Sequence, residues 1–128
     1  MEYAAFIDRV QQRMGVDSQA EAVRATHAAL ETLGERLSTR ETRQLAAELP
    51  TELRAYLLQR SAHQQLFILE DFFHRVSARE GVRWHQAVAH ARTVIAVVGE
   101  AVSAGEFEDV RTELAPDYDA LFEEAMEV

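Results

Sequence analysis

Two stretches of this chain are versions of each other. Glu21 to Leu37, EAVRATHAALETLGERL, aligns with Gln86 to Val102, QAVAHARTVIAVVGEAV, about 65 residues later. Ala22-Val23 matches Ala87-Val88, Leu30 matches Ile95, Leu33 matches Val98, Gly34-Glu35 matches Gly99-Glu100, and Leu37 matches Val102. The apolar positions recur every three or four residues, the period of a helix with one face inward. The match predicts an internal duplication whose two central helices, near 20–36 and 85–101, pack on each other.

The flanking sequence completes the unit. Tyr3, Phe6, Ile7, Val10 and Met14 define an amphipathic first helix, and Gly15 stops it because glycine tolerates the left-handed conformation of a helix end. Leu69, Phe72, Phe73 and Val76 define its counterpart, stopped by Gly81. Ser18 with Glu21, Ser38 with Glu41 and Ser103 with Glu106 have the spacing of capping boxes. They mark Ser38 and Ser103 as helix caps and not nucleophiles. Arg83-Trp84-His85 stands where the second central helix should have its box, so Trp84 is expected to anchor that loop instead. Short helices follow in each half, one ended by Pro50 and one preceded by Pro116, which lack an N–H to donate. The last helix is expected to carry Tyr118, Leu121, Phe122 and Met126. The fold class is therefore all-α: a helical bundle of two tandem repeats related by a pseudo-two-fold axis. Repeat one is placed at about 1–58, a polar linker at about 59–65 and repeat two at about 66–126, in one domain of 128 residues. Gln59 to Gln65, QRSAHQQ, is expected to break the helix between halves.

Composition excludes several functions. There is no Cys, which removes thiolate catalysis, disulfides and thiolate zinc sites. There is no Lys, which removes Schiff-base chemistry and the phosphate-binding lysine of a P-loop. A net charge of −9 opposes binding to nucleic acid or to anionic lipid. No signal peptide is visible, and no apolar run reaches the roughly 20 residues that span a bilayer. A cytoplasmic location is expected.

The repeated Phe-x-x-x-Val…Gly-Val pattern, the Ala-Val…Leu-x-x-Leu-Gly-Glu-Arg-Leu run, Leu-Ala-Ala-Glu-Leu-Pro at 45–50 and Arg-Glu-Gly-Val at 79–82 carry a resemblance. Together they resemble the bacterial and archaeal family catalogued as domain of unknown function 2267, over about residues 2–122. The resemblance implies a small, soluble, all-helical duplicated protein. It implies no catalytic residues. The chain departs from the family pattern in its Gly-poor linker and in Trp84-His85, where an acidic or small cap is usual.

The residues left for chemistry are few. Glu70, Asp71 and His74 put two carboxylates and an imidazole at i, i+3 and i, i+4 of one helix, the spacing of half a carboxylate-bridged metal site. The other half is missing, because Asp8 stands at the matching position. They are the weak metal candidates, against an ordinary surface pair. No metal or cofactor is expected. His85 and His90, five apart, do not share a helix face. His27 aligns with Arg92, which predicts exposure in both copies. Arg9 and Arg13 recur as Arg75 and Arg79, either as a two-lobed anion site or in ion pairs with neighbouring helices. Gly34 and Gly99, late in both central helices, predict close approach of a crossing helix.

Two readings of function follow. One is a non-enzymatic protein-interaction or structural module, with self-association or a protein partner, contacting through Trp84, His85 and the four arginines. The other is a small ligand-binding protein or enzyme that uses His and carboxylates in a cleft between repeats.

Overall fold

The repeated pattern of inward apolar residues and serine caps becomes an all-α bundle in a computed structural model, which describes residues 1–123. Helices run α1 Tyr3–Met14, α2 Gln19–Arg36, α3 Thr39–Glu48, α4 Thr51–Leu58, α5 Leu69–Glu80, α6 Trp84–Ala101 and α7 Ala104–Leu114, with a closing 3-10 turn at Asp119–Phe122. The two 18-residue helices, α2 and α6, pack on each other at the centre. α1 and α5 each lie against both of them. α4 covers α2, the 3-10 turn covers α6, and α3 meets α7.

Local chemistry sets most boundaries. Gly15 and Gly81 end α1 and α5 at φ 69° and 76°, and the Gly81 N–H reaches the Ser77 carbonyl at 2.9 Å. The hydroxyls of Ser18, Ser38 and Ser103 accept the N–H of Glu21, Glu41 and Glu106 at 3.4, 3.1 and 3.2 Å. Each covers one of the N–H groups that a helix start leaves unpaired. At α6 the hydroxyl half of the box is gone but the other half survives: Gln86 Oε1 accepts the Arg83 N–H at 3.2 Å. Trp84 is thus the first residue of the helix and not part of a loop.

The chain leaves the helix after Leu58 and has no helical structure from 64 to 68, so residues 51–80 form two helices. This stretch is fastened to the end of α2. The Gln65 N–H donates to the Glu35 carbonyl at 3.0 Å, and the Phe67 carbonyl accepts from Arg36 at 3.1 Å and from the Tyr118 hydroxyl at 2.6 Å. Among the described residues the expected final helix is a 3-10 turn, with Leu121 buried; Met126 lies outside them.

The centre is mainly apolar, with Thr26, Thr32 and Thr42 buried among the hydrophobic side chains. Phe6, Leu30, Leu33, Leu57, Phe72 and Val94 are inaccessible to solvent. Each such side chain contributes about 1.5–3 kcal/mol on leaving water. Gly34 lets α4 approach: a Cβ there would overlap the Leu57 carbonyl. At Gly99 a Cβ would meet only the Phe107 ring, 2.9 Å away. Among the described residues no helix is long and apolar enough to cross a membrane.

Candidate functional site

The repeated arginines are taken up in ion pairs, each by the glutamate of the opposite long helix. Arg75 and Arg79 on α5 clamp Glu35 of α2 at 2.8 and 3.0 Å, and Arg79 also donates to the Thr32 hydroxyl at 2.9 Å. Arg9 and Arg13 on α1 hold Glu100 of α6. The two clamps differ in depth. The Glu35 side chain is 5% exposed and that of Glu100 is 32% exposed. Burial pushes both carboxyls up, yet their arginine partners outweigh it and hold both below the usual carboxylate range. The anion that the four arginines attract is therefore the protein's own.

A second exchange joins α3 and α7. Ser38 donates its N–H and its hydroxyl to Glu113, while Ser103 donates the same two groups to Glu48. In a capping box those backbone N–H groups would go to Glu41 and Glu106. Displaced, these two carboxylates lie close to each other. Glu41, Glu106 and Asp109 each place an oxygen within 4.8 Å of the others, the set of three that the described residues bring within ligand reach. Glu106 is buried, and its Oε2 and that of Glu41 have no hydrogen-bond donor. Burial first, then the neighbouring Glu41 and the charges of Glu48 and Asp109, push the Glu106 carboxyl up to about 8.

The sequence-selected metal candidates are not assembled in this way. His74 sits 3.8 Å from Glu70 on the exposed face of α5, and Asp71 is exposed beside them. His85 is exposed at the start of α6. His90 meets the buried Glu80 at 2.5 Å, and the other Glu80 oxygen is buried without a donor. His27 is half-buried, not exposed, with its ring stacked 3.7 Å from that of Tyr56. Burial lowers its pKa, with Glu31 opposing. Its counterpart Arg92 is also half-buried and donates to the Ala120 carbonyl. A cleft of about 210 Å³ bounded by α1, α6, α7 and the 3-10 turn is lined by Arg13, Glu100, Phe107 and Phe122, without an imidazole.

Trp84 packs edge-on against Phe73 with ring centres 6.0 Å apart, and 44% of it remains exposed. Among the described residues the largest apolar exposure lies elsewhere, at Leu66 (80%) and Ile68 (60%). They alternate with the buried Phe67, whose ring lies under the Arg75 guanidinium. The sequence held a signal for this. Leu66, Phe67, Ile68 and Leu69 are consecutive, and no single helix face can bury four consecutive residues.

The family model described as "Uncharacterized conserved protein (DUF2267)" matches residues 3–121. No curated protein matches the chain.

Proposed function

The chain belongs to the DUF2267 family, and we propose that it is a non-enzymatic protein-interaction module that presents Leu66 and Ile68 to a partner. The observation that carries this reading is the 64–68 segment. It holds two large aliphatic side chains in water while its backbone is fastened at Gln65 and Phe67. A fixed apolar display loses little conformational freedom on binding. Exposed apolar surface of this kind marks contact sites. The acidic surface favours a partner whose apolar groove has a basic rim. Trp84 and His85 are further contact candidates at the start of α6.

The two halves are read as copies of one unit about a pseudo-two-fold axis, together making one folding domain. Supporting this are the matched 12- and 18-residue helices, the left-handed Gly15 and Gly81, and the reciprocal Arg–Glu and Ser–Glu exchanges. A cytoplasmic location is part of the same reading.

The test compares capture from native lysate by the wild-type chain and by a Leu66→Ser, Ile68→Ser variant, with light scattering alongside. The reading expects a captured protein that the variant loses while its melting is unchanged. Identical capture by both chains overturns it. Loss of a wild-type dimer in the variant would make the partner a second copy.

A further inference from the structure

We propose that Glu41, Glu106 and Asp109 form a site for a hard divalent cation, Ca²⁺ above all, bridging α3 and α7. Two observations meet there. Three carboxylates from two helices bring oxygens within 4.8 Å of one another. Separately, Oε2 of Glu41 and Oε2 of Glu106 are buried with no donor, and Glu106 is 7% exposed. Buried carboxylate oxygens are normally paired, because stripping their water is costly. Arg111, the basic residue of α7, lies over the Phe122 ring instead, and Arg40 and Arg43 of α3 are exposed. A bound cation would satisfy both orphan oxygens and let the facing carboxylates carry their charge together.

The ligand set selects the ion. All three donors are oxygens, which suit hard cations and not the softer metals that prefer imidazole or thiolate. Ca²⁺ takes six to eight oxygens at about 2.3–2.6 Å in a flexible geometry, which suits three carboxylates from two helices completed by water. Mg²⁺ demands a near-ideal octahedron at about 2.1 Å and gives up its own water reluctantly. Asp109 is exposed and leaves the site open on one side, where water completes the coordination. Gln44 stands at the matching position of α3, so the third carboxylate, Asp109, comes from α7 alone.

The experiment uses the full chain after chelator treatment, titrated with CaCl₂ and then MgCl₂ by calorimetry, with thermal melts in parallel. Expected are saturable binding of one Ca²⁺ per chain, a Tm that rises with Ca²⁺ concentration, and affinity for Ca²⁺ above that for Mg²⁺. Asp109→Asn, a surface change that leaves the fold intact, should weaken binding about tenfold or more, while Glu70→Gln should leave it unchanged. Absence of saturable binding overturns the site, and so does equal binding by Asp109→Asn and wild type. Tighter binding of Mg²⁺ overturns the assignment to Ca²⁺. Where Glu106→Gln folds, it must also lose binding.

Discussion

Ser38 donates its backbone N–H to Glu113 at 2.8 Å and its hydroxyl at 2.7 Å, across 75 residues of chain. The cap of α3 is therefore also a tertiary contact, whereas Ser18 caps α2 through one long bond of 3.4 Å. An N-cap alone contributes about 1 kcal/mol, and a hydrogen bond to a charged group about 1.5–3 kcal/mol. Ser38→Ala should cost about 2 kcal/mol or more in urea melts, and Ser18→Ala about 1 kcal/mol or less. Equal losses would show that Glu113 adds nothing.

The glycines late in the two long helices predict unequal damage. Gly34→Ala drives a methyl into the backbone of α4, which must move as a whole. Gly99→Ala meets only the half-buried Phe107 ring, which can rotate away. Gly34→Ala is expected to cost about 3 kcal/mol or more, as overpacking against backbone does, and Gly99→Ala under about 1.5 kcal/mol. A thermal melt of each variant decides, and comparable losses would mean that α4 gives way easily.

Removing an arginine should hurt most where its glutamate is buried. Arg79→Ala leaves Glu35 with Arg75 alone and the Thr32 hydroxyl short of a donor, a change expected to cost about 1.5–3 kcal/mol, the usual value of a hydrogen bond to a charged group. Arg9→Ala, at the more exposed Glu100, should cost about 1 kcal/mol or less. Glu35 is held below its ordinary value in the folded chain, so its contribution is present above the unfolded pKa of about 4.5 and is lost as pH falls through the folded value. Denaturant melts of Arg79→Ala should accordingly show a weaker acid dependence than wild type; an unchanged profile would refute the link.

Glu106 gives the opposite sign. Its folded pKa, about 8, lies above the ordinary 4.5, so the stability it contributes is complete below about 4.5 and is lost as pH rises through about 8. Glu106→Gln keeps the shape and removes the charge. In chelator, the variant is expected to match wild type near pH 4.5 and to exceed it above pH 8. A wild-type chain that holds its full stability to pH 9 would contradict this, pH 9 being about one unit past the midpoint.

Trp84 is half anchor and half surface. Its edge-on contact with Phe73 is worth about 0.5–1.5 kcal/mol beyond burial. Trp84→Ala should therefore destabilise the chain, and Trp84→Phe should recover most of the loss. With 44% of the residue exposed, emission should lie between the buried and solvated extremes in dilute protein. Fully solvated emission, with no loss of stability on Trp84→Ala, would remove its anchoring role.

Much of this architecture is legible in the sequence because its signals are local. The left-handed glycines, the serine caps and the apolar period each act within one turn of helix, and the structure places them where the sequence does. The carboxylate cluster was not legible for the same reason. Ser-x-x-Glu predicts that Glu41 and Glu106 turn back to their own helix starts. Glu113 and Glu48, distant in sequence, occupy those N–H groups and leave the two displaced carboxylates facing each other. The partners of the arginines were half-legible: Gly-Glu recurs in both long helices, but only packing shows that each glutamate serves the opposite half. His27 misled because its alignment with Arg92 carries no information about Tyr56, which stacks on it.

The crossed Arg–Glu clamps have a consequence for a severed chain. A cut near 62–63, before the fastened segment, would give two fragments, each holding carboxylates that only the other can neutralise. Neither piece is expected to hold its native helix content alone, since the first would keep Glu35 without Arg75 and Arg79 and the second Glu100 without Arg9 and Arg13. Mixed at equal concentration, the two should find each other and restore the circular dichroism of the intact protein, a reassembly read directly as complementation between halves.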